Sequence, residues 1–415
     1  MVKILILGGG FGGIRCALDL DKKLGNEAEV TVVDRNGYHL FVPALYEVAS
    51  AYGLKKDPFA IQIRKTVCMP YADIFAGTNI NFIQANIVEI NLTHKIIRTG
   101  GDRILEYNYL VLALGGETAD YNIPGVKEYA CQFKMLDDAL LINKKLNELS
   151  KQFQKGERTE PFSFLICGGG STGIELGAEL GCCSKVIKTK CKLRGRCSNI
   201  TLFEAGPKIL PTIFEKERKF IKNRLTKLGI VLMENSPVEE VGSDFIKLKT
   251  GQKINGDLVI WTAGIKLNRL LVNLNGLSFS STGKIRVENS LKVAGLENVY
   301  AIGDAIEFIN SEVQKSVPAL AYIAIDQGKT AAQNIYNLIK NKEEPKPYKP
   351  FSSVWIIPIG GKFALAHLWG GVLVKGFWGW IIRELVDIRY LLSIFSLKKA
   401  LEVFFNEITI FSKND

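Results

Sequence analysis

The chain has 415 residues, 47% of them hydrophobic and 23% charged, which exceeds what one hydrophobic core organises and excludes a largely disordered chain, so two or three domains are expected. The net charge of +11 is concentrated in residues 184–198 (SKVIKTKCKLRGRCS), where Lys185, Lys188, Lys190, Lys192, Arg194 and Arg196 stand without an acid. No RNA- or DNA-binding motif accompanies them, so the stretch reads as a solvated loop, a membrane-facing surface or a phosphate contact, with no nucleic-acid partner expected.

The first residues, MVKILILGGGFGG, lack the basic region, apolar run and cleavage site of a secretory leader, so an intracellular chain starting at Met1 is expected. Residues 2–7 form a short apolar run of strand length. Glycines follow at once, and residues 14–20 are apolar at helical spacing. The next β-rich run, 29–33, ends in Asp34, which completes a β-α-β unit. β-Rich segments follow around 80–97 and 107–114, then a polar, Lys-rich helical stretch over 137–156. The opening pattern returns at 162–167 (FSFLIC), with glycines 168–170, a helical 173–180 and a strand 199–203 ending in Glu204. Further β-rich runs at 231–248 and 258–261 lead to 298–305 (NVYAIGDA). The proline-rich 341–350 (NKEEPKPYKP) marks a boundary before the C-terminal segment.

Gly8, Gly10 and Gly13 have GxGxxG spacing. Glycines there allow a tight turn and let the backbone approach a pyrophosphate, whose charge sits at the positive helix N-terminus, while Asp34 accepts hydrogen bonds from the adenosine ribose. Gly168, Gly170 and Gly173 repeat the fingerprint, with Glu204 in the ribose position. An acid there repels a 2′-phosphate and favours NADH over NADPH. Glu175 lies in the first turns of the second fingerprint helix, where a carboxylate is either a dipole-favoured structural device or a functional group beside the nicotinamide. Eight cysteines fit a reducing compartment, and Cys182, Cys183, Cys191 and Cys197 lack the paired spacing of a zinc site, so no metal is expected.

The order of these two fingerprints and of a third element, the strand run 299–305 (VYAIGDA) ending in a glycine and an aspartate, resembles the pyridine-nucleotide-dependent flavoprotein reductases. Within them the chain resembles the type II NADH:quinone oxidoreductases over 33–49 (VDRNGYHLFVPALYEVA), 109–129 (YLVLALGGETADYNIPGVKEY), 166–180 (ICGGGSTGIELGAEL), 261–265 (WTAGI) and 318–328 (PALAYIAIDQG). The resemblance implies a non-covalent FAD, NADH as donor, a membrane quinone as acceptor and no proton pumping. It places FAD contacts at Gly8, Gly10, Phe11, Gly12 and Gly13, at Asp34 and Arg35, at Ile87, at Ala113, Leu114 and Gly115, and at Gly303, Asp304 and Ala321. NADH contacts fall at Gly168, Gly170, Ser171, Thr172, Gly173, Glu204, Ala263 and Gly264, with Glu175 as the catalytic residue, positioning the nicotinamide or relaying protons. Tyr52, Tyr322, Gln327 and Arg389 are the expected quinone contacts. The chain departs from the family there: Tyr322 and Asp326 replace glutamines of the usual AQxAxQQG, and Tyr52 replaces a threonine.

The expected fold class is therefore α/β, with two Rossmann-type dinucleotide-binding domains, for FAD and NADH, and a C-terminal amphipathic helical membrane anchor. The expected boundaries are 1–120 and 285–340 for the FAD domain, 121–284 for the NADH domain, and 341–415 for the linker and membrane-associating segment. Over 375–411, Phe377, Trp378, Trp380, Ile381, Ile382, Leu385 and Tyr390 alternate with Arg383, Arg389, Lys398 and Lys399. No run reaches spanning length, so these helices are expected either to lie at the cytoplasmic face of the cell membrane, as a peripheral anchor, or to pack on the protein's own core or on a second subunit of a homodimer. Three rival readings stand beside this one. They are a flavoprotein with a non-quinone acceptor, a sulfide:quinone oxidoreductase-like enzyme, disfavoured because no cysteine follows Cys197, and an FAD-binding module without turnover.

Overall fold

The repeated strand-turn-helix pattern builds two parallel five-stranded sheets. The computed structural model describes residues 1–52, 64–192, 195–310, 314–342, 344–350 and 354–411; Arg194 of the basic stretch lies outside them. In chain order the principal elements are β1 (Val2–Leu7), α1 (Phe11–Leu24), β2 (Ala28–Asp34), α2 (Leu45–Ser50), β3 (Asn81–Gln84), β4 (Tyr109–Leu112), α3 (Leu136–Lys155), β5 (Phe162–Cys167), α4 (Ser171–Lys190), β6 (Ser198–Phe203), β7 (Ile230–Met233), β8 (Leu258–Trp261), β9 (Val299–Ala301), α5 (Ala321–Ile339), α6 (Phe377–Ile394) and α7 (Leu397–Phe411).

Two units emerge. The first comprises Met1–Leu40, Cys68–Glu117 and Ile265–Ser352, and the second Phe41–Val67, Thr118–Gly264 and Ser353–Asp415. In the first the strand order is β9-β4-β1-β2-β3, and in the second Cys131–Gln132 takes the place of β9 in the order Cys131–Gln132, β8, β5, β6, β7. Both sheets are parallel throughout, with Val2 opposite Ala28 and Phe162 opposite Ser198 at equivalent starts of the central pairing. Strands buried on both faces read as continuous apolar runs: Ile4 to Leu7 and Phe164 to Cys167 are all buried.

The partition differs from the expected boundaries at 41–67, at 265–284 and over 341–415, where residues up to Ser352 fall in the first unit and the rest in the second; the first and the last of these have a visible physical cause. Residues 41–67 belong with the second unit because α2 packs on α3 and α4, and Asn143 of α3 donates to the carbonyls of Val48 (3.0 Å) and Ala51 (2.7 Å) at the end of α2. The proline-rich 341–350 is stitched to the first unit rather than standing free. Asn334 of α5 exchanges hydrogen bonds with the Lys346 backbone (2.9 and 2.8 Å), and the Tyr348 amide donates to Asn289 O at 2.7 Å. The basic stretch also differs from a plain loop, since α4 continues through Lys190. Its exposed Lys188 and Lys190 then stand at a helix C-terminus, where cations are favoured.

Helices α1 and α5 approach to backbone contact in the first unit. A Cβ at Gly328 would lie 2.4 Å from Gly12 O, and one at Gly12 would lie 2.8 Å from Ala324 O. Two backbones that close leave no space for a methyl group, so Gly328→Ala should destabilise the first unit by about 1–3 kcal/mol. Thermal unfolding of the flavin-loaded protein checks this, with a lowered Tm and earlier flavin release expected.

Candidate functional site

Each unit turns the end of its first strand into a helix N-terminus in the same way. Gly8 has φ +104° and Gly168 φ +127°, the left-handed side that favours glycine. A Cβ on Gly13 would stand 2.0 Å from Gly8 O, and one on Gly173 2.0 Å from Gly168 O, so no side chain fits at either third position. The middle glycines differ. A Cβ on Gly10 or Gly170 would meet nothing within 4 Å, so both loops open above a helix whose N-cap, being glycine, has no side chain to occupy the first-turn amides. Open space above a helix N-terminus fits a pyrophosphate.

The acids at the ends of the second strands are equally matched. Asp34 accepts from the Gly9 amide through Oδ2 and from the Asn36 amide through Oδ1, both at 2.8 Å. Glu204 accepts from Gly169 through Oε2 (2.9 Å) and from Gly206 through Oε1 (2.7 Å). Each carboxylate thereby ties the loop to the strand end and retains lone pairs for ribose hydroxyls. The residues that follow β4 and β8 close the cradles from behind: a Cβ on Gly8 would meet Ala113 O at 2.3 Å, and one on Gly168 would meet Thr262 Oγ1 at 2.7 Å and the Ala263 amide at 2.9 Å.

Around the first cradle, β9 runs into a short turn holding Gly303 and Asp304. Gln327, only 2% exposed, fixes that turn by accepting the Gly303 amide at 2.7 Å. Gln327, expected at the quinone, is thus occupied inside the first unit. Phe11 and Gly12 lie in the first turn of α1, and Ala321 opens α5. Leu114 and the left-handed Gly115 (φ +66°) follow β4, and Arg35 is exposed beyond β2. Ile87 stands apart from this sheet, in an antiparallel one formed by Ile87–Asn91, Ile96–Thr99 and Ile104–Glu106. Tyr322, half-buried on α5, has its phenol pKa raised by burial and by the nearby Asp326 charge.

In the second unit Ser171, Thr172 and Gly173 form the first turn of α4, and Gly264 (φ +75°) follows β8. Glu175, one turn on, is partly exposed along its chain, yet desolvation of its carboxyl raises the pKa to about 7, against an opposing pull from Arg383. A carboxyl that titrates near neutrality can hold or release a proton under physiological conditions. Tyr52 is buried: Gln154 Nε2 donates to its hydroxyl at 2.9 Å, and Lys190 lies 5.1 Å over its ring. Arg389 is exposed on α6.

Two residues of the first cradle were not legible in the sequence. Tyr71 donates to Gly9 O at 2.8 Å, and a Cβ on Gly9 would collide with that hydroxyl at 2.0 Å. His39 meets the same carbonyl through Nδ1 at 3.2 Å. Burial lowers its pKa to about 4, so it is neutral at physiological pH and Nδ1 carries the donated proton. Both sit beside the paired strands Tyr38–Leu40 and Cys68–Pro70, far in sequence from the glycine motif, and only the fold brings them to it.

Two dinucleotide cradles in one chain are the arrangement of a two-cofactor oxidoreductase. The profile of the pyridine nucleotide-disulphide oxidoreductase family matches residues 2–328. A type II NADH:quinone oxidoreductase of Haemophilus influenzae is 30% identical over 381 residues, covering 85% of this chain and 83% of its own. A demethylphylloquinone reductase of Synechocystis is 30% identical over 370 residues, covering 86% and 85%. The solved structure of NDH2 from Plasmodium falciparum in complex with NADH superposes with a TM-score of 0.83 over 98% of each chain, at 21% identity. The chain belongs to the pyridine nucleotide-disulphide oxidoreductase family, in its branch of type II NADH:quinone oxidoreductases.

The two cradles are built separately, so their acids should fail separately. Asp34→Ala leaves the Gly9 and Asn36 amides without their carboxylate and should weaken flavin retention roughly 10- to 100-fold, while Glu204→Ala should weaken NADH binding to a similar degree with flavin content unchanged. Flavin absorbance after gel filtration, together with NADH titration, separates the two effects.

Proposed function

We propose that the chain is a flavoprotein that passes two electrons from NADH through FAD to a quinone, working as a peripheral protein at a membrane surface. The observation that carries this reading is the duplicated cradle, with a carboxyl titrating near neutrality on the helix that opens the second one. Bound FAD supplies the two-electron store between a hydride donor and a quinone. The first cradle is assigned to FAD because β9 adds the Gly303 and Asp304 turn to the same sheet, which the second sheet lacks at its equivalent edge strand. Gly8, Gly10, Gly13 and Asp34 hold that dinucleotide, and Gly168, Gly170, Gly173 and Glu204 hold NADH. The Glu204 charge disfavours the extra phosphate of NADPH.

Reducing a quinone to a quinol takes two electrons and two protons, and a hydride brings both electrons with one proton. The second proton comes from solution, and Glu175 is the group suited to pass it. Tyr322 is the quinone contact we favour of the four expected, because Tyr52 and Gln327 are already engaged and a phenol kept neutral by burial can donate to a quinone carbonyl. A sulfide:quinone chemistry would need reactive thiolates. All eight cysteines precede residue 198, and burial raises the thiol pKa values of Cys16, Cys131, Cys167 and Cys183.

The membrane surface is proposed at the C-terminal helices. Trp378 (68% exposed), Leu385, Val386 and Leu392 of α6, and Leu397 (65%), Leu401 and Phe405 (60%) of α7, present apolar side chains outward. An exposed apolar face of that extent is unusual for a surface that meets only water and suits the interface of a bilayer. No helix among the described residues is long and apolar enough to cross a membrane. Flotation of the purified chain with anionic liposomes is expected, weakening when Trp378 and Phe405 are both replaced by serine. Equal flotation of the variant and the native chain would move the contact elsewhere.

For Glu175 the sign follows from its pKa of about 7: it holds its proton below that pH and gives it up above. Steady-state NADH:quinone turnover should therefore decline as pH rises through about 7. Glu175→Gln should reduce turnover roughly 10- to 100-fold and flatten that decline. A variant that keeps the native pH profile would leave Glu175 without a proton role.

A further inference from the structure

Helix α6 is charged on the face it buries. Arg383 Nη1 lies 2.9 Å from Glu47 Oε1 of α2 and 2.9 Å from Glu384 Oε1, and Nη2 lies 3.4 Å from Asp387 Oδ2. Helix α7 brings a fourth carboxyl to this group. Glu407 is 3% exposed, and neither of its oxygens has a hydrogen-bond partner among the described residues. After burial itself, the charges acting most strongly on it are Asp387 and Glu47, both of its own sign; the single guanidinium of Arg383 opposes them, and Glu384 adds a weaker like charge. Tyr46 of α2 completes the surroundings, its ring 5.5 Å from Arg383 and its hydroxyl donating to Glu47 Oε1 at 3.2 Å, and α4 faces Tyr46 with Glu175 and Glu179. Four ionised carboxylates around one guanidinium would leave three uncompensated negative charges in a dry site. Such burial is prohibitively costly, and a proton is the smallest ligand that relieves it.

We infer that Glu407, Asp387, Glu384 and Glu47 form with Arg383 a buried proton-binding site, in which Glu407 is held as the neutral acid, and that α7 docks on α6 with that proton bound. The ligand is a proton rather than a metal ion, since no acid cluster among the described residues has the geometry to hold a metal. Burial and the like charges hold the Glu407 pKa well above the ordinary carboxyl range. Docking is therefore strongest at low pH and is lost as pH rises through that raised value. The outer face of α7 carries exposed Leu397, Leu401 and Phe405, so occupancy of the site by a proton governs how that apolar face is presented.

The inference stands apart from the electron-transfer reading, and its test needs no turnover. Difference infrared spectroscopy of the full-length, flavin-loaded protein, titrated with base, reads un-ionised carboxylic acids directly. Hydrogen exchange over residues 397–411, corrected for the intrinsic pH dependence, reads docking. The native protein should show a buried acid at neutral pH whose loss on raising the pH coincides with faster exchange in α7. In Glu407→Gln one carboxyl's share of that signal should be missing, and α7 exchange should no longer depend on pH. Should Glu407→Gln fail to fold, Asp387→Asn removes one of the like charges and should move both transitions to lower pH by about one unit or more. The inference is overturned if the acid signal survives Glu407→Gln intact, if exchange in α7 of the native protein is independent of pH, or if Asp387→Asn shifts neither transition.

Discussion

In both units the carbonyl oxygen of the first fingerprint glycine lies 2.0 Å from where a Cβ would stand on the third. That contact makes the chain reverse from strand to helix within four residues, aims the helix N-terminus at the loop mouth and leaves the middle glycine facing open space. Everything the cradle can do depends on that turn. Uncapped first-turn amides face the loop mouth because the turn directs them there, and Asp34 and Glu204 are held at the strand ends by amides of the same loops. The first unit adds a further restraint from below, where Tyr71 and His39 both donate to Gly9 O and hold its peptide plane.

The C-terminal helices obey the opposite logic from an ordinary surface helix. A helix packed on a soluble protein hides its apolar stripe and shows its charges. Helix α6 hides Arg383, Glu384 and Asp387 and shows Phe377, Trp378, Leu385 and Val386. The arrangement is stable only if the inward charges neutralise one another and the outward apolar side chains meet something other than water. The first condition is met by Arg383 and by the proton proposed on the acid cluster, and the second by the bilayer surface proposed for these helices. Arg383 belongs to both the cluster and the environment of Glu175, where it moderates the rise of that carboxyl's pKa.

The repeated fold was legible because its signals are local. Apolar runs of strand length, glycines at fixed spacing and an acid at the next strand's end specify each cradle without reference to distant residues, and β8 falls at residues 258–261 as its apolar run indicated. Elements whose role depends on distant partners were harder. The 341–350 segment reads as a linker from its prolines, whereas hydrogen bonds exchanged with the Asn334 side chain and one donated by the Tyr348 amide to Asn289 O fix it to the first unit. Arg383 reads as one of the basic residues alternating with aromatic and apolar ones, and the structure buries it, because nothing in the spacing of α6 says that Glu47, more than three hundred residues earlier, supplies its counter-charge. Nor does the local sequence show that Tyr52 accepts from Gln154 or that Gln327 accepts from the Gly303 amide, since each partner is remote in the chain.

One chain carries electrons from NADH through FAD to a quinone. Anaerobic stopped-flow spectroscopy of the flavin-loaded protein tests it most directly: NADH should bleach the flavin absorbance within the time of a single turnover, NADPH should do so far more slowly, and a quinone added next should restore the absorbance. Flavin that stays oxidised in the presence of NADH, or that remains reduced when the quinone is added, would contradict the account.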